Sequence, residues 1–456
     1  MITSKNLSSG SLAFDNVKFI SETDHRQISE RSAVAQGDIL LAMIGSIGNP
    51  VIVDTDQPFS IKNVALFKYY DKELSSPGFL CLYLHHAANE MRELAAGGLQ
   101  PFVSLGFLRN YPITLPPLAE QHQIVAKVDE LMALCDRLET AQKERESRRD
   151  CLVASSLHHL NNGADPEAFR EHARFYFNHL PRLTTRPNHI KQLRGTILNL
   201  AFRGRLTSRW RETAKIVETA HEFLRSVENA RKKAWDNKQA AGSSRKLLSP
   251  IEFGRENLPM ISDSWVWASA DAVCSQITDG EHIQPRYQGE GLPMLTAKHV
   301  REGFVTFEDS ELISESDFKK CVARCKPEEG DILVVSVGAT TGRAAIVSEP
   351  RPFALVRSVL LLKPLISPAY FLRWLQSPWC FAWMRQASEA SAQPHLYIGD
   401  TKRMPVPLPP LAEQRCIVAK VDELMALCDQ LETQLTTTQS ESRHLLESIL
   451  HLALSA

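Results

Sequence analysis

The chain has 456 residues, of which 43% are hydrophobic and 23% charged, an ordinary composition for a globular protein of about two to four domains. Its formal net charge of −1 argues against a protein that grips nucleic acid over its whole surface. No apolar run approaches the ~20 residues of a membrane span, and the N-terminus lacks the pattern of a signal peptide. Nine cysteines without a CxxC pair predict a reducing, cytoplasmic location.

Residues 1–115 begin with a mixed α/β pattern. The runs GDILLAMIGS, NPVIVD and NVALFKYY are short, apolar or β-branched, and bounded by Gly, Pro or Asp, which predicts strands. A helical stretch, PGFLCLYLHHAANEMRELAA, follows them, and a turn-rich segment then leads to PPLAEQ at Pro116. This order predicts an α/β domain over residues 1–115.

A long helix is predicted over residues 116–160. Prolines at its start cost no helical hydrogen bond, and Glu120 and Gln121 suit the first turn. Apolar positions step by four and three residues, which predicts a heptad seam that pairs with another helix, while an amphipathic helix lying on its own domain is the alternative. The seam residues are Ile124, Val128, Leu131, Cys135 and Leu138.

The segment 161–257 occurs only once and is predicted to be a helical region with a linker. HIKQLRGTILNLAFRGRLTSRW and AHEFLRSVENARKKAWDNKQ have helical spacing, and QAAGSSRKLLSPIEFG is typical of a connector. Lys and Arg outnumber Asp and Glu between Arg186 and Lys246. This basic stretch is either a phosphate-binding face or a solvated or protein-docking surface.

The rest of the chain repeats its first 160 residues. PPLAEQ recurs at Pro409, 293 residues after Pro116, and the runs GDILVVSVG, RAAIVSE and SVLLLKP repeat the strand order. The repeat predicts a second α/β domain over residues 258–408 and a second helix over residues 409–456. The seam of this helix comprises Ile417, Val421, Leu424, Cys428 and Leu431.

Motifs that carry catalysis are missing from the sequence. There is no phosphate loop, dinucleotide fingerprint, zinc-protease, nucleophile-elbow, kinase or amino-methyltransferase motif. The loops GSIGN (Gly45–Asn49) and GATTGR (Gly338–Arg343) are interpreted as turns that can also approach DNA. Cys321 and Cys325 have no second cysteine pair and are interpreted as core or helix-surface thiols rather than metal ligands. The sequence thus predicts a binding protein with no cofactor, no metal and no catalytic residues.

The order of these elements resembles the specificity subunit of Type I restriction-modification systems. The resemblance rests on the two PLPPLAEQ or TLPPLAEQ helices, the central LRGTILNLAFRGRL block and the WVW sequence that opens the second α/β domain. It covers nearly the whole chain. It implies an α+β protein with two mixed α/β target-recognition domains, joined by long helices that form an antiparallel coiled coil.

The resemblance also implies a function. A protein of this family is a non-catalytic reader of a bipartite, asymmetric target in double-stranded DNA. It docks two methyltransferase subunits and, through them, the restriction-translocase subunits. Helices of fixed rise would set the spacing of the two half-sites.

The first α/β domain departs from the family pattern. Met1 aligns with Met294, so the first domain lacks a counterpart of residues 258–293, which include WVW. We expect an N-terminally shortened product, a misplaced start or a rearranged gene, and this departure puts recognition of the first half-site in doubt.

Candidate DNA contacts are polar or basic loop residues, because Arg, Lys, Asn and Gln donors read base edges while basic and hydroxyl groups contact phosphate. In the second domain they are His282, Gln284, Arg286, Tyr287, Lys298, His299, Arg343, Gln393, His395, Tyr397, Lys402 and Arg403. In the first domain they are Lys5, Asn6, Asn49, Gln100 and Arg109. For each of these residues a solvated surface position is the alternative.

Two other classes of function are compatible with parts of the sequence. One is a restriction-modification polypeptide with fused catalysis, or the DNA-binding subunit of a related Type II-like enzyme, which the missing motifs disfavour. The other is a coiled-coil scaffold that does not touch DNA, which accounts for the helices but not for two α/β domains with Gly- and Lys-bearing loops.

Overall fold

The computed structural model describes residues 1–7, 10–44, 47–70, 73–95, 102–163, 165–214, 218–240, 258–282, 285–388 and 394–455. The chain divides into two compact units, Met1–Glu146 and Ser147–Ala456. The predicted connector around Lys246 lies outside the described residues. Among the described residues, no helix combines the length and hydrophobicity of a transmembrane span.

The first unit is a small sheet covered on both faces. Its elements are α1 (Glu22–Ser32), β1 (Ile39–Ala42), β2 (Pro50–Ile52), β3 (Val64–Phe67), α2 (Pro77–Ala95), α3 (Leu105–Asn110) and most of α4 (Leu118–Asn162). β1 lies between β2 and β3 and is antiparallel to both. Its alternate side chains enter two cores, because Ile39 and Leu41 pack with α2 whereas Leu40 and Ala42 pack with Ile2 and its neighbours.

The second unit contains the end of α4 and three sheets. Its helices are α5 (Pro166–Asn178), α6 (Leu180–Leu183), α7 (Pro187–Phe202), α8 (Ser208–Thr213), α9 (Ala220–Ala240), α10 (Glu315–Arg324), α11 (Pro368–Leu375), α12 (Pro378–Ser388), α13 (Ile398–Arg403) and α14 (Leu411–Ser455). Its strands are β4 (Val266–Ser269), β5 (Cys274–Asp279), β6 (Tyr287–Gln288), β7 (Leu292–Leu295), β8 (Glu311–Ile313), β9 (Ile332–Val335), β10 (Ala344–Ile346), β11 (Ala354–Leu355), β12 (Val359–Pro364) and β13 (Pro405–Leu408). They form sheets in the orders β10-β9-β12-β5, β11-β7-β8-β6 and β13-β4.

The central strands of the second unit repeat the two-sided burial of β1. In β9, Ile332 and Val334 pack with the aromatic residues of α11, whereas Leu333 and Val335 pack against the opposite core. Continuous apolar runs are expected where a strand is covered on both faces. The three strands predicted in each repeat are confirmed. They are β1, β2 and β3 in the first unit and β9, β10 and β12 in the second.

A shared turn opens both central strands. A glycine with positive φ precedes Asp38 in the first unit and Asp331 in the second, a conformation that glycine adopts without strain. Each aspartate then accepts a hydrogen bond from a lysine Nζ at 2.7 Å, Lys68 for Asp38 and Lys363 for Asp331. The duplication therefore extends to buried ion pairs as well as to the hydrophobic pattern.

The helical stretch after β12 differs from its predicted counterpart. The repeat predicts a helical stretch there, SPAYFLRWLQSPWCFAWMRQASEA, and the chain forms two helices, α11 and α12, interrupted at Gln376 and Ser377. Pro378 occupies the first turn of α12, where its missing N–H costs nothing, and Ser377 Oγ accepts a hydrogen bond from the Cys380 N–H at 3.3 Å. The proline therefore starts a new helix.

The two long helices are confirmed, because α4 and α14 each have 45 residues. α7 runs antiparallel to α14: Thr185 near its start accepts a hydrogen bond from Gln439, whereas Arg194 further along bonds Glu432 at 2.8 Å and Asp429 at 2.7 Å. The packing thus contains a third helix that the heptad pattern did not predict.

α7 also lies along the end of α4, in the same direction. Asp150 accepts a hydrogen bond from His189, and Asn161 donates one to Thr196. Later residues of α4 thus contact later residues of α7, so the two helices run parallel. The end of α4 therefore runs antiparallel to α14, as predicted for the coiled coil. Val153 and Leu157 of α4 share one hydrophobic cluster with α7 residues and with Cys428.

The two predicted seams differ in burial although their sequences match. In α14, Ile417, Val421 and Cys428 are buried, and Leu424 and Leu431 are half-buried. In α4, by contrast, the seam positions are either half-buried or exposed. The half-buried ones are Ile124 and Val128, and the exposed ones are Leu131, Cys135 and Leu138.

Arginines of the basic stretch pair with carboxylates inside the second unit. Arg194 bonds Asp429 and Glu432, Arg211 bonds Glu413, Arg231 bonds Asp271 and Arg186 bonds Asp150. These contacts support the protein-docking interpretation of the stretch, with the docked surface belonging to the same chain. For these arginines the phosphate-binding interpretation is corrected, because each is already engaged by an anion.

Candidate nucleic-acid interface

One edge of the main sheet of the second unit gathers several loops. β12 is antiparallel to both β5 and β9, so the ends of β5 and β9 lie beside the start of β12. Arg357, just before β12, donates its backbone N–H to the Glu281 carbonyl at 3.0 Å, and its own carbonyl accepts the Ser336 hydroxyl at 3.4 Å. Glu281 follows β5 and Ser336 follows β9, so the turn just ahead of β12 (residues 356–358), which we call its tip, is held from both sides. We call the loops 279–282, 336–341 and 356–358 the reading edge.

The segment after α12 adds aromatic side chains to the reading edge. Gly338 N–H donates to the Pro394 carbonyl at 3.4 Å, and Leu396 N–H donates to the Ser336 carbonyl at 2.8 Å. His395 and Tyr397 stack with their ring centroids 4.1 Å apart, and Tyr397 is exposed. A stacked pair with one exposed ring, Tyr397, and one half-buried ring, His395, beside a glycine-containing loop is suited to contact bases or sugars.

Arg343 lies just beyond this loop and is held by the protein. Its guanidinium donates to the Ala297 carbonyl at 3.0 Å, which positions it next to Lys298. Lys298 is exposed, and its Nζ donates to the Asp309 carbonyl at 2.9 Å. These two cations therefore have fixed directions, which suits positioned contacts to phosphate or base edges.

His299 has a structural role. It is 1% exposed, and its Nδ1 accepts the Thr296 N–H at 2.8 Å. Burial lowers the pKa of this imidazole below its ordinary value. We therefore withdraw His299 from the candidate DNA contacts, since its donor and acceptor atoms face the interior.

The other candidates of the second domain do not converge on one point. His282 is exposed within the reading edge, and its Nε2 contacts Asp279 Oδ2 at 2.9 Å, where Arg324 also bonds. Arg286 and Tyr287 are exposed at the edge strand β6 of the other sheet. Gln284 and Gln393 lie outside the described residues.

Lys402 and Arg403 belong to the opposite end of β5. Lys402 Nζ lies 3.5 Å from Asp271, which precedes β5, whereas the reading edge begins at Asp279, where β5 ends. Arg403 lies 3.5 Å from Asp400 within α13. The structure does not bring these two residues to the reading edge.

The cysteines considered as ligands are core thiols. Cys321 and Cys325 are both buried, in different hydrophobic clusters. Burial raises the pKa of the Cys325 thiol to about 12, which disfavours the thiolate that metal binding requires. No group of three or more His, Cys, Asp or Glu side chains within the described ranges is arranged to hold a metal ion.

The chain matches one protein family in both of its repeats. The family described as the Type I restriction modification DNA specificity domain matches residues 18–146 and 284–438. The chain belongs to this family. The resemblance drawn from the doubled helix is thereby confirmed, together with the fold class of two mixed α/β domains and long helices.

Relatives of the chain are named as specificity subunits of Type I restriction enzymes. It is 26% identical over 450 residues to the EcoAI specificity subunit of Escherichia coli, covering 92% of this chain and 72% of that protein. It is 25% identical over 404 residues to the EcoEI specificity subunit of Escherichia coli, covering 85% of this chain and 65% of that protein.

Solved structures with similarity to the chain have low scores. A chain from a study of complex assembly and conformational transition of the type I R-M system has a TM-score of 0.46 at 18% identity, covering 90% of this chain and 80% of that one. The HsdS subunit of Thermoanaerobacter tengcongensis has a TM-score of 0.41 at 17% identity, covering 88% and 76%.

In the first unit of this specificity-family chain, the predicted contacts are scattered. Asn6 is buried and donates to the Ala13 and Asp15 carbonyls, so we withdraw it as a DNA contact. Asn49 is half-buried in the β1–β2 turn. Lys5 and Arg109 are exposed, on a 3-10 helix and on α3, and Gln100 lies outside the described residues.

The sequence reasoning missed one pair of basic residues. Lys62 precedes β3 as Arg357 precedes β12, and both are exposed. Lys62 donates its backbone N–H to the Ile2 carbonyl at 2.9 Å, so the matching turn just ahead of β3, the tip of the first unit, is also fixed by a neighbouring segment. The signal was present in the alignment of IKNV with VRSV, which keeps a cation at the same place in both repeats.

Proposed function

We propose that the chain is the non-catalytic DNA-reading subunit of a Type I restriction-modification complex. Each α/β unit contacts one part of a bipartite target in double-stranded DNA, in the cytoplasm and without a cofactor. The complex also contains two methyltransferase subunits and, through them, restriction-translocase subunits. The observation that carries this proposal is the repeated tip, with Lys62 in the first unit and Arg357 in the second.

The equivalent tips support backbone contacts at both half-sites. Lys62 and Arg357 are exposed cations held on rigid backbone, and such groups bind phosphate and set the register of a protein on the duplex. A net charge near zero fits contact confined to these tips rather than spread over the surface.

Differences between the loops support an asymmetric target. Asn49 of the first unit stands where the second unit has Arg343. A guanidinium pairs most readily with guanine and an amide with adenine, so equivalent positions with different donors favour different bases. Two half-sites read by these units would therefore differ in sequence.

The helix junctions support a rigid spacer. Gln121 is buried and accepts the Ser76 N–H at 2.8 Å, while its amide donates to the Leu74 and Pro116 carbonyls. Gln414 makes the matching bonds to Ser367 and Pro409. Each unit is thus fastened to the first turn of its helix, and a helix of 45 residues is about 67 Å long.

Repetition of the helix also supports docking of two equal partners. The motif from PPLAEQ to the seam cysteine is almost identical in both copies, whereas the α/β loops differ. A chain with two similar surfaces can bind two copies of one partner by the same contacts. We place methyltransferase docking on these helices for that reason.

The test is co-expression with the methyltransferase subunit of the same system, followed by single-molecule mapping of methylated adenines or cytosines. We expect a two-part target with an unread gap. Arg286→Ala combined with Lys298→Ala should abolish methylation at this target while the subunits still co-purify. The control is Lys232→Ala with Lys233→Ala, which removes the same charge from exposed positions of α9.

Three results would reject parts of the proposal. Methylation by the purified chain alone would show fused catalysis. A complex that co-purifies but never binds DNA in a salt-dependent gel shift would show a scaffold. Unchanged methylation by the Arg286→Ala and Lys298→Ala variant would show that the contacts lie elsewhere.

A further inference from the structure

One surface of the first unit is exposed where its counterpart in the second unit is buried. Ile113 is 44% and Leu115 52% exposed, whereas their counterparts Val406 and Leu408 are 0% exposed. Both pairs lie just ahead of PPLAEQ, 293 residues apart. The same position in the repeat is therefore core in one unit and open surface in the other.

A β-strand covers this position in the second unit. β13 pairs antiparallel with β4, with Val406 opposite Ala268 and Leu408 opposite Val266. In the first unit the corresponding residues 112–115 belong to no strand, and among the described residues their backbone forms no β-bridge, although the Pro112 carbonyl accepts the Tyr83 hydroxyl at 2.9 Å. A segment outside any sheet, such as residues 113–115, is a site where another strand can add.

The glutamate of PPLAEQ shows the same contrast. Glu413 is 0% exposed and accepts hydrogen bonds from Thr207 at 2.7 Å, from Arg211 and from the Trp265 indole at 2.9 Å. Its counterpart Glu120 is exposed. The glutamate carboxylate therefore accepts hydrogen bonds from three buried or partly buried residues in the second copy and faces solvent in the first.

The following turns of the helix continue the pattern. In the second unit, α7 packs on Ile417 and Val421 in one hydrophobic cluster and on Cys428 in another, with Arg194 between Asp429 and Glu432. The first unit retains the same residue types, as an apolar seam flanked by carboxylates. These are Ile124, Val128, Cys135, Asp136 and Glu139.

We propose that this open face, formed by residues 111–115, Glu120 and the seam of α4 from Ile124 to Cys135, binds a polypeptide segment with the chemistry of residues 187–269. Such a segment supplies an antiparallel helix with an arginine directed at Asp136 and Glu139. It also supplies an arginine and a tryptophan N–H for Glu120, and a β-strand for residues 112–115.

The chemistry of the face selects this occupant over others. The exposed apolar end of α14, around Leu446 and Leu450, can cover a helical seam but brings neither a tryptophan nor a strand. A second copy of the chain has its own 187–269 segment engaged by its own β13 and α14. A segment of the stated kind satisfies the strand edge, the carboxylates and the seam at once.

The experiment joins a second copy of residues 187–293 ahead of Met1 in the full chain. Because Met1 aligns with Met294, the added copy meets the first unit at the spacing found in the second. Hydrogen exchange by mass spectrometry is then followed at residues 111–120. We expect exchange at the 113 and 115 amides to slow about tenfold or more relative to the unextended chain.

Two matched controls test the chemistry. The added copy carrying Trp265→Phe and Arg211→Ala, or the host carrying Glu120→Ala, should lose most of this protection. Unchanged exchange in the extended chain overturns the proposal, and so does equal protection in both controls. Protection of residues 111–120 in the unextended chain also overturns the proposal. Protection that increases with protein concentration would indicate self-association, and protection independent of concentration would indicate pairing with α14.

Discussion

Trp265 donates its indole N–H to Glu413 at 2.9 Å inside the second unit, which ties the start of the second α/β domain to the first turn of α14. Thr207 and Arg211 bond the same carboxylate from the end of the α7–α8 segment. One buried glutamate thus connects three parts of the chain that are far apart in sequence. Its exposed counterpart Glu120 provides a control within the same molecule.

We predict that Glu413→Ala lowers the free energy of unfolding of the second unit by about 3 kcal/mol, because it removes the carboxylate partner of the partly buried Arg211 and the acceptor of the Thr207 and Trp265 donors. All tryptophans lie between residues 210 and 383, so urea denaturation followed by tryptophan fluorescence reports this unit alone. Glu120→Ala should change stability by less than about 0.5 kcal/mol, measured by circular dichroism as well. Equal losses in both variants would contradict the structural difference.

A second prediction concerns acid stability. Hydrogen bonds from Lys363 and Lys326 hold the pKa of Glu328 at about 2, below its ordinary 4.5. A depressed carboxyl pKa contributes stability that is present above pH 4.5 and is lost as the pH falls towards 2. Because Glu328 is largely solvent-exposed, we expect a modest effect.

The measurement compares the melting temperature of the unchanged protein with that of Glu328→Gln from pH 7 to pH 3. The two should differ at neutral pH and converge on acidification, while Asp331 remains bonded to Lys363 in both. A constant difference at all pH values would rule out the ion pair as its origin.

The third prediction concerns the repeated basic tip. Arg357→Ala should weaken DNA binding by the assembled complex at all sequences, and should reduce the slope of log affinity against log salt by about one, as expected for loss of a phosphate contact. Lys62→Ala should act in the same way. Lys319→Ala removes an exposed charge from α10, where it pairs with Glu315, and should leave the slope unchanged. An unaltered slope for Arg357→Ala would remove this residue from the interface.

The fourth prediction tests the helix as a ruler. Insertion of seven residues after Leu138 lengthens α4 by about 10.5 Å and nearly preserves its facing surface. The gap between the half-sites should grow by about three base pairs, since base pairs rise about 3.4 Å each. Mapping of methylated sites measures the gap directly. Methylation at the original spacing would show that α4 does not set it.

Several features were predictable because they depend on local pattern. The strands of both repeats are apolar runs bounded by glycine, proline or aspartate, and they form where expected. The long helices follow from the spacing of their apolar residues. Comparison of the repeats also located residues of matched role, such as Asp38 with Asp331.

Other features could not be predicted from the local sequence pattern. Asn6 and His299 have the chemistry of DNA contacts, yet their hydrogen bonds are made inside the protein. Lys402 follows a loop with the expected composition, but lies at the other end of β5 from the reading edge. Arg357 is not distinguished by its local sequence, because only the bonds of its backbone to Glu281 and Ser336 place it at the reading edge.

The sequence by itself determined the duplication, the α/β order, the two helices and the family, because repeats, periodicity and motifs are properties of neighbouring residues. Only the tertiary structure decided which copy of PPLAEQ is buried. Glu120 and Glu413 have the same neighbours along the chain and opposite environments. Burial depends on what packs from elsewhere, and only the second copy has Trp265, Arg211 and α7 against it.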